Sequence, residues 1–595
     1  MPSEFHDGEA AMREALKVPA GPNPSVTGLP ARYVARVQDS PLVAVGTLDE
    51  ENRPWTTIWG GERGFAGQVA EGVLGLKTAV DRRHDPVFAA LWKEADADGV
   101  TRPNNGQGKM VSALSIDLET RDRVKLIGAF IAGAVVENGV QAAVAVTESL
   151  GNCPKYLNKK EVVKHNPDHA ELVSNELPLG NEALDVIYKA DMFFLSSTNG
   201  DSMDTNHRGG KPGFVRILSN KPGEVQLVYP EYSGNRLYQT LGNLRMNPLI
   251  GIVIPDFDTA SVLYLTGSAS VLIGDEASSL LARTRLAVKI NVSEAKFVRG
   301  GLPFRGALGE YSPYNPPLRY LTAERNDPLA TDISAGSDLT ATLVKRELIT
   351  PTIGIFTWDL SSSSRGRRVT PRWDAGQHIT LDFEPELSLG YSHMRDEAPQ
   401  SINDDFIRTF TVSSPPQDGR LQITARRNGP ATGLMWKHNT RVPLNISVLG
   451  FAGEAKFRMP ASVGSAEKSV FVAGGVGITP VLAQARGVLD AGVDFSVAWS
   501  LHGEDAPLAV RSFEEIPGLA GVTTLFVTGD MGQMVEQRLA DLGARGIERR
   551  RMAASDVASL KGQGRKFYLC AGPRLLKLLT TWLSGEQVEW EDFGY

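Results

Sequence analysis

The sequence predicts a multidomain chain: antiparallel β barrels first, a further antiparallel barrel in the middle, and an α/β domain at the end. Three observations carry this. The chain has 595 residues, several times the usual domain length. Before Pro460, apolar and polar residues follow the period of strands. After Pro460 the order becomes strand, glycine turn, helix, most plainly at 471–480, Phe-Val-Ala-Gly-Gly-Val-Gly-Ile-Thr-Pro.

Composition narrows the function classes. Hydrophobic residues make up 42% and charged residues 22%, a globular balance. A net charge of -7 speaks against nucleic acid as a partner. No apolar run is long enough to span a membrane, and the first residues lack a basic start and apolar core, so no membrane span and no secretory leader are expected. Cys153 and Cys570 are too few for a disulfide framework or a four-thiolate iron–sulfur cluster. No second histidine stands at ligand spacing from His207, so no metal is expected. A reducing cytoplasm fits.

Residues 1–30 read as an arm: a short helix at 5–16, then a loop rich in Pro and Gly. An apolar strand follows at 41–47, a turn at 49–53, and a β-rich run at 55–59 closed by Gly60 and Gly61. One or two more strands lie at 123–136. The order then recurs: a strand at 191–198, a turn at 199–204, and Asn206-His207-Arg208-Gly209-Gly210. The run 262–269 answers to 124–136. This reads as an internal duplication of a small antiparallel barrel, 31–180 and 185–325, within a region 31–325. Residues 326–340 form a linker. Strands at 341–347, 353–358, 375–381, 408–414 and 423–427, with the segment 429–434, complete a six-stranded barrel over 341–460; 361–368 is polar loop. The α/β domain, 465–595, has strands at 470–473, 494–499, 523–528 and 567–570 and a first helix at 481–489.

In that domain ligand belongs at the carboxyl ends of the strands. Gly474, Gly475 and Gly477 let backbone N–H groups approach an anion. Thr479 suits the N-cap and Pro480 the first helical position, so the turn reads as a pyrophosphate site. A strand–glycine–helix turn also serves as a plain tight connection; the neighbouring motifs decide between the two. Arg408, Phe410 and Thr411 read as an arginine, an aromatic and a hydroxyl sharing one strand face.

Across about 341–595 these motifs, in this order, resemble the ferredoxin–NADP reductase superfamily. The resemblance implies an FAD-binding barrel and a Rossmann-like NAD(P) domain. It implies that Arg408 binds flavin phosphate, that Phe410, in a place usually held by Tyr, stacks on the isoalloxazine, and that Thr411 bonds near N5. Gly429, Thr432 and Gly433 would hold the FAD pyrophosphate, with His378, Ser413 and Phe593 completing the flavin set. Gly474, Gly475, Gly477, Thr479, Pro480, Cys570, Gly572 and Pro573 would hold NAD(P), with Cys570 against the nicotinamide. Glu591 would assist proton handling, with Phe593 or Tyr595 covering the flavin. The run 387–405 is an insertion that covers the adenine or touches the other half. NADH versus NADPH stays open, since Ser500-Leu501-His502 carries no Arg and Arg549, Arg550 and Arg551 read as a solvated face.

Residues 194–198, 206–216, 232–244 and Asn247-Pro248 resemble the pyridoxamine-phosphate-oxidase-like split barrel, over roughly 185–325 and more weakly over 30–180. The family pairs two barrels around FMN, so the pair forms within the chain or in a homodimer. Ser196, Ser197, Arg208 and Arg236 would hold the phosphate, and Gln239 and Asn243 the ring edge. The two resemblances together imply a flavoprotein oxidoreductase passing electrons from NAD(P)H through FAD to an FMN or other acceptor, small molecule or protein. The alternative is a single-flavin reductase whose N-terminal barrel binds a substrate or partner without redox chemistry.

Overall fold

A computed structural model describes residues 4–93, 99–137, 139–151, 155–324, 339–362, 373–453, 455–462, 467–562 and 564–590. Most of the predicted linker and of the loop at 361–368, together with Cys153, Glu591, Phe593 and Tyr595, lies outside the described residues. The chain forms two compact units. Unit 1 is Met1–Asn326 with Tyr391–Asp404; unit 2 is Asp327–Gly390 with Asp405–Tyr595. The insertion foreseen at 387–405 therefore belongs in its larger part to the first unit.

Unit 1 opens with α1 (Asp7–Ala15), whose start is closed reciprocally by His6 and Glu9. Helix α2 (Ala31–Asp39) leads into strands β1 (Leu42–Leu48), β2 (Pro54–Gly60), β3 (Ala66–Ala70) and β4 (Val73–Thr78). Helix α3 (Pro86–Leu91) and strands β5 (Lys109–Asp117), β6 (Asp122–Val136) and β7 (Gly139–Gly151) follow. The succession then repeats: α4 (Asn181–Lys189), β8 (Met192–Thr198), β9 (Met203–Gly209), β10 (Arg216–Lys221), β11 (Glu224–Pro230), α5 (Gln239–Met246), β12 (Leu249–Asp256), β13 (Ser261–Ile273) and β14 (Leu286–Arg299). The first sheet runs β2-β1-β5-β6-β7-β4-β3 and the second β9-β8-β12-β13-β14-β11-β10. Strand for strand this is one order used twice. Short strands flank them: Val26–Thr27 on β7, Val100–Thr101 on β6 and Glu171–Ser174 on β14.

The two sheets pack through β1, β2 and β5 of the first against β8, β9 and β12 of the second. These strands are buried almost without alternation because one face meets its own core and the other meets the partner sheet. The contacts come in matched sets. Thr56 Oγ1 on β2 donates to Gly251 O on β12 at 2.9 Å, and its counterpart Thr205 on β9 donates to Ser112 O on β5 at 3.2 Å. Glycine makes the close approach feasible. A Cβ on Gly46 would stand 2.0 Å from Ser196 Oγ, and one on Gly251 would stand 2.3 Å from Pro54 O.

In unit 2, β15 (Leu339–Leu348), β16 (Ile353–Ser362), β17 (His378–Asp382), β18 (Ile407–Thr411), β19 (Arg420–Arg426) and β20 (Asn445–Ala452) form a sheet of order β18-β17-β20-β15-β16-β19. A Val412–Ile423 bridge joins its two ends. The sixth strand of the barrel is β20, and the segment from Gly429 is helix α6 (Gly429–Lys437), so a helix does start at Gly429 as expected for the pyrophosphate residues. The α/β part has six parallel strands: β21 (Lys468–Gly474), β22 (Phe495–His502), β23 (Thr523–Thr528), β24 (Gly546–Glu548), β25 (Arg565–Cys570) and β26 (Gln587–Trp590), in order β24-β23-β22-β21-β25-β26. Helix α7 (Thr479–Asp490) follows the first of them. Among the described residues no helix is long and apolar enough to cross a membrane.

Candidate functional site

The strand order of the α/β part reverses between β21 and β25, which lie side by side with Ala473 opposite Cys570. At such a reversal the loops leave in opposite directions and open a crevice at the carboxyl ends. The 471–480 turn and the Cys570–Pro573 turn converge there. A Cβ on Gly477 would stand 2.1 Å from Cys570 O, and one on Gly474 would stand 2.9 Å from Ala571 Cβ. Gly475 has a φ of +56, and its carbonyl accepts from Trp499 Nε1 at 2.9 Å. At Gly572 no heavy atom lies within 4 Å of the side-chain position. Thr479 is not the N-cap. Gly475–Ile478 already turn as a 3-10 helix, so Thr479 enters α7 with φ -54 and ψ -38 and makes no capping bond. Pro480 sits in the first turn, as expected.

On the barrel, β18 pairs with β17 in the register Leu381↔Arg408 and His378↔Thr411. A strand's period of two puts Arg408 and Phe410 on one face and Thr411 on the other. The shared face expected for all three is thus corrected: Thr411 follows Phe410 directly and is buried. Arg408 Nη1 lies 3.8 Å from Asp405 Oδ1, and Phe410 meets Phe383 edge to face at 6.4 Å. His378 is buried opposite Thr411. Ser413 is turned toward β19, donating to Gln422 O at 3.2 Å and accepting from Thr424 Oγ1 at 2.9 Å. The Thr432 hydroxyl bonds both the N–H and the carbonyl of Asn428 at 2.7 Å, fixing the start of α6. Around that start the backbone is bare. Gly429 has φ +80, and neither Gly429 nor Gly433 has a heavy atom within 4 Å of its side-chain position. A helix start with open space over two glycines fits a pyrophosphate. So FAD, which the resemblance implies, passes this test of fit.

Arg426 escaped the sequence reading. It ends β19, pairs with Asp505 Oδ2 at 2.5 Å and reaches within 3.8 Å of the Gly475 side-chain position. Arg549 is held by Asp530 and Glu536, and Arg550 by Glu548 and Asp556.

Unit 1 contains a cavity of about 100 Å³, open to solvent, walled by β6, β9, the end of β11, and the loop leading into α5. Arg123, Lys125, Lys155, Arg208 and Arg236 face it against one carboxylate, Glu231. Tyr156, Tyr232 and Tyr238 supply flat apolar walls. Of the six residues expected to hold FMN, Arg208, Arg236 and Gln239 line this cavity. Ser196, Ser197 and Asn243 do not. Ser196 Oγ lies 2.8 Å from Thr56 Oγ1 and 2.9 Å from Thr205 Oγ1, and Ser197 Oγ accepts from Asn243 Nδ2 at 3.2 Å. The reason is that β8 lies in the packing of one sheet on the other, where its hydroxyls find partners. Arg208 itself is paired, its Nε donating to Glu231 Oε2 at 2.8 Å. Lys125 pairs with Asp204 and donates to Gln239 Oε1 at 2.5 Å.

His207 is the odd group in this wall. It is 4% exposed, and burial, then the charges of Arg123 and Arg208, hold its pKa well below the ordinary value. Arg123 Nη1 lies 3.0 Å from His207 Nδ1. A guanidinium only donates, so Nδ1 accepts and the proton rests on Nε2. That N–H has no hydrogen-bond partner among the described residues. A buried donor left open beside five cations fits an anionic ligand with an acceptor atom, and FMN meets that description. The pocket loop is held in an unusual backbone: Arg236 and Tyr238 both have positive φ, 61 and 60. Two outside segments brace it. Arg13 of α1 donates to Arg236 O at 2.9 Å. From the insertion, Tyr391 lies under the Arg236 guanidinium at 3.5 Å and donates to Gly234 O at 3.0 Å, while Asn403 accepts from Ser233 N at 3.0 Å. No cluster of three metal-ligating side chains occurs among the described residues.

No family model and no curated protein matches the sequence. Similar solved structures include full-length CYP116B46 from Tepidiphilus thermophilus, at 17% identity over 50% of this chain and 34% of that one, TM-score 0.31. This chain thus spans about a third of that protein's length. Others are the flavohem-like FAD/NAD binding domain of nitric oxide dioxygenase from Vibrio cholerae O1 biovar El Tor, 16% identical over 43% and 98%, TM-score 0.32, and a ferredoxin NADP+ reductase from Neisseria gonorrhoeae with bound FAD and NADP, 14% identical over 44% and 100%, TM-score 0.28.

Proposed function

We propose that this chain is a flavin-dependent oxidoreductase. It takes hydride from a reduced nicotinamide nucleotide in unit 2 and delivers electrons to an acceptor or second flavin held by unit 1. The observation that carries the proposal is the meeting of two turns, Gly474–Pro480 and Cys570–Pro573, at the strand-order reversal of a parallel sheet. That unit also holds a barrel with Arg408 and Phe410 on one strand face and a bare helix start at Gly429.

Bound FAD supplies a two-electron acceptor for hydride and releases the electrons onward. The chain's residues do the rest. Backbone N–H groups at Gly475 and Gly477 and the dipole of α7 hold nucleotide phosphates. Arg408 neutralises flavin phosphate, and Phe410 offers its ring to the flavin plane. Cys570, buried against Gly477, would stand against the nicotinamide, as the resemblance implies. In unit 1, Arg236, Arg208 and Lys125 hold the FMN phosphate, and His207 Nε2–H donates to an acceptor of the same ligand.

The test is flavin content and response. Cofactors released from purified protein should include one FAD per chain, and NADH or NADPH should bleach its absorbance without oxygen. Protein that binds no flavin after reconstitution overturns the proposal. A second reading, unit 1 as a substrate or partner module without flavin, is favoured by the interior placement of Ser196, Ser197 and Asn243. FAD without FMN after reconstitution with both would select it.

A further inference from the structure

Unit 1 is built from two halves of one strand order, so a pocket off the axis between them has a counterpart on the other side. The open pocket stands on β9, β6 and the start of α5. Its counterpart stands on β2, β13 and α3. The registers make the equivalences explicit. Leu42↔Gly60 in the first hairpin answers to Met192↔Gly209 in the second, so Thr57, Ile58 and Trp59 stand where Asn206, His207 and Arg208 stand. Asp117↔Asp122 answers to Asp256↔Ser261, so Tyr264 stands where Lys125 stands.

In the counterpart the cations have become bulk. Trp59 and Tyr264 are each 1% exposed. The anion's place is taken by the chain itself. One oxygen of Asp85 accepts from Val87 N at 2.8 Å and Phe88 N at 3.1 Å, the first N–H groups of α3. The other accepts from Thr57 Oγ1 at 2.7 Å and Trp59 Nε1 at 3.0 Å. All four donors are used on an internal carboxylate. In the open half, Tyr238 holds the same cap position of α5, with no side-chain capping bond, and the His207 Nε2–H is left over.

We infer that unit 1 has one working anion site per chain: the pocket walled by His207, Arg208, Lys125 and Arg236 takes a single phosphate-bearing ligand, and Asp85, Trp59 and Tyr264 fill its counterpart. The choice of FMN as that ligand rests on the proposed function; the count does not. The full chain, kept saturated with FAD so that unit 2 is occupied, is titrated with FMN by calorimetry, and separately with inorganic pyrophosphate. One FMN per chain is expected, weakened at least tenfold by Arg236→Ala and by His207→Phe. Two FMN per chain, with one binding event unchanged in Arg236→Ala, overturns the inference and leaves the flavin reading standing. One pyrophosphate, sensitive to Arg236→Ala, with no FMN upholds the inference and overturns the flavin reading. Binding of neither probe overturns both.

Discussion

Gly433→Ala separates stability from cofactor affinity because the two should move in opposite directions. Gly433 is the fifth residue of α6, well inside the helix. An added Cβ meets no heavy atom within 4 Å. Alanine in a helix interior is better than glycine by about 0.5–1 kcal/mol. For a unit of this size that raises the unfolding midpoint of flavin-free protein by roughly 1–4 °C. If the FAD pyrophosphate lies over this glycine, the same methyl occupies its approach. Overpacking costs about 1–3 kcal/mol, so FAD binds roughly 5- to 150-fold more weakly. Scanning calorimetry without flavin and quenching of FAD fluorescence on titration read the two effects. Gly429→Ala is the control. With φ at +80, alanine there is strained whether flavin is present or not, by about 1–2 kcal/mol. That strain lowers stability and cancels from the affinity, so Gly429→Ala should be less stable where Gly433→Ala is more stable. A Gly433→Ala protein that is more stable yet binds FAD with unchanged affinity refutes the placement of the phosphates at α6.

Three further outcomes follow from the same reasoning. Gly477→Ala puts a Cβ 2.1 Å from the Cys570 carbonyl oxygen, and backbone cannot yield as a flexible side chain does; the KM for the nicotinamide nucleotide should rise about tenfold or more, at a stability cost of about 1–3 kcal/mol, and an unchanged KM would show that the two turns do not form one site. Tyr391→Ala removes the ring under Arg236 and the bond to Gly234 O; ligand affinity of the unit 1 pocket should fall by about 1–2 kcal/mol, with Tyr391→Phe losing less, as measured by equilibrium dialysis. Glu9 has its pKa raised to about 7, chiefly by burial. Because the folded value lies above the unfolded one, protonated Glu9 favours the docked arm at low pH and that stability is lost as pH rises through about 7; up to about 3 kcal/mol is at stake. Protease sensitivity of the arm should climb between about pH 5 and pH 8 in the native chain and stay flat in Glu9→Gln; parallel profiles would assign the change to another group.

Local chemistry was the legible part of this sequence. The turn 474–480 shows its glycines, its proline and its flanking strand within ten residues, and the structure brings it against Cys570 as the order of motifs implied. Thr479 has the sequence look of an N-cap, but an N-cap and the end of a 3-10 turn look alike until the dihedrals of 475–478 are known. Thr411 was placed on the wrong face by grouping three adjacent functional types, where the period of two allows only Arg408 and Phe410 together. Ser196 and Ser197 failed for another reason. A hydroxyl on a strand is visible, but which neighbour covers it is set by β2 and β9 packing across the pair. Lys125 and Lys155 carry no signal in the sequence because each reaches the cavity from a segment distant from the Arg208–Arg236 signature. Arg123 becomes visible only through its bond to a histidine on the other half.

The pocket loop shows how such distant pieces are held to one purpose. Two non-glycine positions of left-handed backbone, Arg236 and Tyr238, separated only by Leu237, cost about 1–3 kcal/mol each and persist only where the surroundings over-determine them. Here the surroundings are α1, through Arg13, and the insertion, through Tyr391 and Asn403. Neither segment is part of the barrel that carries the loop. Gly8 and Gly242 let α1 settle directly onto α5, since a Cβ on Gly8 would stand 2.1 Å from Gly242 O. The insertion leaves the unit 2 chain after Gly390 and returns at Asp405, three positions before Arg408. A loop's closure entropy grows only slowly with its length, so an excursion of this kind is cheap to maintain. What it secures is the orientation of Arg236. The residue the sequence offers as a phosphate ligand is therefore set by a strand-to-helix loop of the barrel, an N-terminal arm and a segment inserted between two strands of another domain.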